Sequence, residues 1–169
     1  MPISTLRQRI RWLLFFFIVA LVLSGLTAFP LVWEARLLNQ IAAAAQVARW
    51  WPAMAAWIDR IALGLQDTNA RYPFILYGTD WLAFAHLVIA LAFWGPLKDP
   101  VKNIWVIEFS MLACVLILPL ALIFGPLRGI PPFWIAIDCS FGVVGLLPLW
   151  LARRAVLQLA RLEQVGTFD

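Results

Sequence analysis

The sequence predicts an all-α fold: a four-helix transmembrane bundle with two short amphipathic helices in its first outer loop. Three observations predict it. Of 169 residues, 64% are hydrophobic and 13% charged, which would leave a soluble domain of this size with far too much apolar surface. The apolar residues form four runs, at 12–33, 80–96, 104–125 and 132–152, each near the ~20 residues that carry a helix across a ~30 Å hydrocarbon core. Seven of the ten tryptophans mark the ends of these runs, namely Trp12, Trp33, Trp81, Trp94, Trp105, Trp134 and Trp150. Indole rings collect at both membrane faces because the ring is largely apolar while its N–H wants a wet partner. A single integral membrane domain covering 1–169 is expected.

The runs are helices rather than barrel strands. LLFFFIVALVL and MLACVLILPLALIF are continuous, whereas a barrel needs alternation over segments of about ten residues. In lipid every backbone N–H and C=O must be satisfied, and a helix does so within itself. The first run, preceded by Arg7, Arg9 and Arg11, also resembles a signal peptide. From Trp12 to Trp33, however, only Ser24 and Thr27 are polar and no small-residue cleavage site intervenes, so a retained span is expected.

The connection 34–79 is not a polar linker. LLNQIAAAAQVARWW places Leu37, Leu38, Ile41, Ala45 and Ala48 at helical spacing, with Glu34, Arg36, Gln40 and Arg49 off that stripe. After Pro52, a residue suited to a first helical turn, Met54, Trp57, Ile58, Ile61 and Leu65 form a second apolar face opposite Asp59, Arg60 and Asp67. These helices are expected to lie in the membrane interface or to cover the bundle. Gly95-Pro96-Leu97-Lys98 recurs as Gly125-Pro126-Leu127-Arg128, an echo expected from helix termination by a left-handed glycine and a proline.

Eight of the thirteen basic residues, Arg7, Arg9, Arg11, Lys98, Lys102, Arg153, Arg154 and Arg161, fall on one side of the membrane in this topology. Arg36, Arg49, Arg60, Arg71 and Arg128 fall on the other, so both termini are expected in the cytoplasm. The charges form no continuous stripe and no nucleic-acid partner is expected.

Four ionisable groups lie within the spans: Asp80, His86, Glu108 and Asp138. Each is a candidate for function, because a charge in hydrocarbon costs ~2.5–3.5 kcal/mol even on insertion-based scales. Asp80, at the start of the second span, is expected to cap the positive helix end. Glu108 is a secondary polar site on the cytoplasmic side, within reach of Lys98 or Lys102. His86 and Asp138 both lie about 8–9 Å below the outer interface. His86 shares a stripe with Ala83 and Ala90, and Asp138 with Gly142 and Gly145, the small-residue faces along which helices approach closely. In an up-down bundle the second and fourth spans are diagonal, which would turn His86 and Asp138 toward each other. The pair then makes either a proton, cation or ligand site, supplemented by Asp80 and Arg128, or an interhelical hydrogen bond that only fixes packing. Pro119 and Pro148 interrupt the third and fourth spans and free the carbonyls of Val115 and Val144.

Several chemistries are marked down. Cys114 and Cys139 lack C-x-x-C spacing, one histidine cannot give bis-His haem ligation within a subunit, and no P-loop, G-x-G-x-x-G or G-x-S-x-G is present. No metal site and no cofactor are expected, with a lipid or quinone as the ligand that such a polar site would suit.

YGTDWLAFAHLVIALAFWGPLKDPVKNIWVIEF and RGIPPFWIAIDCSFG resemble small four-span bacterial inner-membrane proteins with no assigned activity. The resemblance covers about half the chain, residues 77–145, and implies a bacterial plasma-membrane location. Three functions stay open. The first is an outward-facing polar site for a proton, cation or small amphipathic ligand. The second is an accessory subunit packed into a larger respiratory, photosynthetic or secretion complex or a homo-oligomer. The third is a lipid- or isoprenoid-modifying enzyme with His86 as acid/base.

Overall fold

The computed structural model describes residues 3–165. The chain is 90% helical and the described residues contain no strand, as an all-α membrane protein requires. In order, the helices are α1 (Ile3–Ala28), α2 (Leu31–Ala44), α3 (Val47–Trp50), α4 (Pro52–Arg71), α5 (Pro73–Ala92), α6 (Trp94–Lys98), α7 (Ile104–Leu127) and α8 (Pro132–Val165). Four stretches are long and apolar enough to cross a membrane: Ile3–Ala28, Pro73–Lys98, Ile104–Leu127 and Pro132–Gln164. Their large side chains point outward in numbers that water would not tolerate, Phe16, Leu91, Leu122 and Val144 among them. The chain is a multi-pass membrane protein.

Contacts gather into two units, Met1–Ala20 with Ala90–Asp169, and Leu21–Ile89. In the first, α7 packs along α8. Small residues set the approach: a Cβ on Gly142 would lie 2.5 Å from the Cys114 carbonyl oxygen, and one on Gly145 3.1 Å from the Cys114 Sγ. The glycine stripe on the Asp138 face is therefore an inward face, as its spacing predicts. Leu149, Ala152, Val156 and Leu159 continue a buried stripe down α8. The helix accordingly runs well past the expected end at 152, and Arg153-Arg154 interrupts hydropathy but not helical periodicity.

Gly125 lies inside α7, where a Cβ would come within 2.7 Å of the Ile135 side chain. Gly95 is likewise a close approach, where a Cβ would lie 2.9 Å from the Asn103 Oδ1. Neither is left-handed. The repeated Gly-Pro pair marks contacts rather than caps, and the capping role falls to Gly129 at φ +70. There the Ile130 N–H donates to the Gly125 carbonyl and the Gly129 N–H to the Pro126 carbonyl, both at 3.0 Å. This pattern closes the open end of α7 before Pro131 and Pro132.

In the second unit, α2 and α4 pack together through the turn of α3. Gln46, at φ 52, makes the left-handed break after α2, and Pro52 opens α4 as expected. Ile58 is buried and Met54, Trp57, Ile61 and Leu65 half-buried, with Asp59, Arg60 and Asp67 exposed, so the apolar face of α4 is the one the spacing predicts. The face of α2 is not. Ala35 and Ala42 are buried with Asn39 half-buried between them, whereas Leu37, Leu38 and Ile41 are exposed. Asn39 Nδ2 donates to Asp59 Oδ1 at 3.1 Å, which keeps the polar side of α2 against α4 and turns its leucine stripe out.

Two helix ends also differ from the hydropathy reading. The first span stops at Ala28 instead of reaching Trp33, because Pro30 has no N–H to continue the ladder and Trp33 falls in α2. The second begins at Pro73, seven residues before Asp80.

Candidate functional site

Pro73 is pre-set for a first helical turn, and Phe74, Ile75 and Leu76 carry the apolar run backward from the residues that hydropathy marked. No acidic residue lies in the first turn of α5. At 1.5 Å per residue, Asp80 stands about 10 Å along the axis from Pro73. The expected capping role is thereby overturned: the orphan N–H groups and the positive end of the dipole are confined to the first turn, two turns away.

Having lost that role, Asp80 faces a cavity of about 300 Å³ lined by Phe29, Tyr77, Asp80, Trp81 and Phe84, almost wholly apolar apart from the carboxylate. Helical spacing explains the α5 share, since positions 77, 80, 81 and 84 fall on one face. Pro30 explains the rest, because ending α1 at Ala28 leaves Phe29 in the turn beside that face. The rings are ordered edge to face, Tyr77 and Trp81 at 6.0 Å and 79°, Trp81 and Phe84 at 6.0 Å and 90°. Within its unit, no hydrogen bond or ion pair reaches the Asp80 carboxylate.

A carboxylate in such surroundings has a narrow range of partners. A carboxylate set among aromatic rings attracts a cation and repels an anion. Its volume stands at the small end of ligand sites, enough for a headgroup. Tyr77, Trp81 and Phe84 are each more than half exposed, so the cavity opens to the side and an attached chain can leave along the helices.

His86 lies six residues further along the same helix, in different surroundings. Its ring Nδ1 is 2.8 Å from the carbonyl oxygen of Leu82. A carbonyl can only accept, so Nδ1–H donates. Beneath the ring the packing is tight: a Cβ on Gly25 would lie 3.0 Å from both the Ala83 carbonyl oxygen and the His86 Cβ, and Ala83 is fully buried. The small-residue stripe predicted for His86 is therefore a helix contact.

The remaining sequence candidates belong to the other unit. Asp138 is half-buried on α8, on the stripe of Gly142 and Gly145 that meets Cys114. Arg128 is exposed just after α7, with its backbone N–H bonded to the carbonyls of Phe124 and Gly125. Glu108 accepts from Arg153 Nε at 2.8 Å. That replaces the expected Lys98 or Lys102, which are engaged elsewhere: Lys98 Nζ sits 5.1 Å from the Trp94 ring centroid and Lys102 pairs with Asp99. No cluster of three or more metal-ligating side chains occurs among the described residues.

Sequence reasoning missed the aromatic members of the cavity. The signal was present as Tyr77, Trp81 and Phe84 at four- and three-residue spacing around Asp80, but Tyr77 fell in a segment read as loop. No family model matches the chain, and neither do curated proteins or solved structures.

Proposed function

We propose that this protein is a small polytopic protein of the bacterial plasma membrane that binds a small amphipathic ligand, positively charged at its head, at an outward-facing site centred on Asp80. One observation carries the reading: an unpartnered carboxylate two turns inside an apolar helix, set in an aromatic cavity of about 300 Å³. Polar groups in hydrocarbon are expensive unless paired, and an alkylammonium head between rings and carboxylate offsets that cost while its chain stays in lipid.

The test uses the full chain in a neutral detergent, titrated with dodecyltrimethylammonium and with an uncharged twelve-carbon analogue. Saturable binding of the ammonium compound, lost in Asp80→Asn, supports the reading. Equal binding of both amphiphiles, or unchanged binding in Asp80→Asn, overturns it.

A second reading, an accessory subunit of a larger membrane complex, draws on the outward leucine stripe of α2 and the exposed Trp50 beside it. Such a face suits either the membrane interface or another subunit. Stoichiometric co-purification of one protein after mild extraction, abolished by Leu37→Gln with Ile41→Gln, would favour it over the ligand site.

A further inference from the structure

We infer that the Arg7 end of α1 carries a second binding site, selective for the headgroup of an anionic phospholipid. Arg7 and Arg11 stand four residues apart on one face of α1, and with Lys98 they border a crevice floored by Ile10, Pro96 and Leu97. The floor is firm, with Ile10 and Pro96 almost completely buried. Its enclosed space is only about 10 Å³, room for one water-sized group, so a ligand seats an oxygen there and spreads the others over the cations at the rim.

The charges do not cancel internally. Arg7 Nη2 pairs with Glu163 Oε1 at 2.7 Å, which engages one of its three guanidinium nitrogens. Arg11 has no acidic partner among the described residues, and Lys98 rests on the ring of Trp94 rather than on a carboxylate. Asp99 follows Lys98 in sequence but is held by the Lys102 N–H at 3.1 Å and its ammonium at 3.4 Å. Three cations around one crevice therefore face a single carboxylate, and like charges four apart on a helix repel. A phosphodiester relieves that repulsion, with several acceptor oxygens on one negative charge.

The surroundings select a lipid over a free anion. The crevice lies where a membrane span meets its charged end, beside Trp12, and the exposed rings of Trp12, Phe15 and Phe16 run from Arg11 along the apolar part of α1. A phosphate at the rim thus has a surface for its acyl chains within one turn. Basic pockets at the ends of membrane helices hold anionic headgroups in this way.

The site is independent of the Asp80 cavity and of opposite charge preference, so either can fail alone. Full-length protein in neutral detergent is examined by native mass spectrometry with phosphatidylglycerol, with phosphatidylcholine and with inorganic phosphate. The wild type is expected to retain phosphatidylglycerol over phosphatidylcholine, and Arg11→Gln with Lys98→Gln to lose that preference by roughly tenfold or more in affinity. Arg11→Lys with Lys98→Arg keeps the charge and should keep binding, which separates a lost site from a damaged fold. Arg49→Gln, equally basic and exposed, should leave that preference unchanged. Equal retention of the two lipids, an unchanged preference in the double glutamine variant, or an equal loss in Arg49→Gln overturns the inference. Displacement of the lipid by millimolar inorganic phosphate would also overturn it, in favour of a small-anion site.

Discussion

Two polar residues on α5, six positions apart, stand in different surroundings. His86 looked like the centre of a site and Asp80 like a helix cap. In the structure His86 is tied to Leu82 of its own helix and its Cβ is packed on Gly25, whereas Asp80 is two turns from the helix end, without a hydrogen-bond partner in its unit, beside a cavity. The difference teaches that an ionisable residue in a span is informative only once the helix start is fixed. Moving that start by seven residues turns a solvated cap into an unpaired buried-side carboxylate.

Substitution at the two positions gives the largest expected contrast. Asp80→Asn keeps size and removes the charge, so affinity for an alkylammonium amphiphile should fall at least about tenfold, as for loss of a charge-assisted contact at a partly desolvated site. His86→Ala should leave that affinity within about twofold, since its ring has its own partner, and should instead cost about 1 kcal/mol of stability through the lost hydrogen bond. Titration of both variants beside thermal unfolding in the same detergent checks the pair. A large binding defect in His86→Ala with none in Asp80→Asn would reverse the comparison.

Packing beneath His86 provides the next test. Adding a branched side chain at Gly25 places atoms at 3.0 Å from a backbone carbonyl and from the His86 Cβ, neither of which can swing away. Gly25→Val should destabilise by about 1–3 kcal/mol, the range for overpacking a filled interior. Gly78, on α5 with nothing near its missing Cβ, should accept alanine with no loss and a gain of up to about 1 kcal/mol from helix propensity. Comparison of denaturation midpoints decides it, and equal effects at the two glycines would contradict the packing described.

Much of this fold was legible in the sequence, for identifiable reasons. Long apolar runs and flanking tryptophans fixed the four spans, because hydrocarbon admits few alternatives. Pro52 fixed the start of α4, and the burial of its 54–65 face follows from periodicity. The unread parts share one cause, namely that hydropathy is blind to what ends or turns a helix. Pro30 ends α1 inside an apolar run, Pro73 starts α5 outside one, and Gln46 breaks α2 with no glycine or proline to announce it. On α2 the most apolar stripe is the exposed one, since alanines and Asn39 are the residues packed against α4. The aromatic cavity was hidden by the same misplacement of the α5 start, and the Glu108–Arg153 pair by the longer reach of α8.

Within the cavity, the rings should matter less than the carboxylate. Trp81 belongs to both ring pairs, so Trp81→Ala removes the best π face and opens the wall. An alkylammonium ligand should then bind about five- to tenfold more weakly, the range for one well-placed cation–π contact. Trp81→Phe should recover part of that loss, because a face remains but with a weaker quadrupole. The same titration separates the variants. If Trp81→Ala is silent while Asp80→Asn is not, the site recognises charge alone and the aromatic wall is lipid contact.

The smallest expected effect comes from a third carboxylate, which shows what Asp80 lacks. Asp99, in the turn before α7, accepts the Lys102 backbone N–H and lies 3.4 Å from its ammonium. That N–H bond is the main cause that lowers its pKa below the ordinary 3.8; desolvation opposes it, and the Lys102 side-chain hydrogen bond and charge add to the lowering. A carboxylate whose pKa is lower folded than unfolded binds its proton more readily in the unfolded chain. Its contribution is therefore fully present above about pH 4 and is lost as pH falls through the depressed folded value. The group is fully exposed, so the effect is slight and screened by salt. Asp99→Asn should flatten the acid limb of the stability profile below pH 4 without changing ligand binding, measured by denaturation midpoints in steps of pH at low salt. An acid limb that survives unchanged in Asp99→Asn would mean that the Lys102 contacts contribute nothing to folded stability.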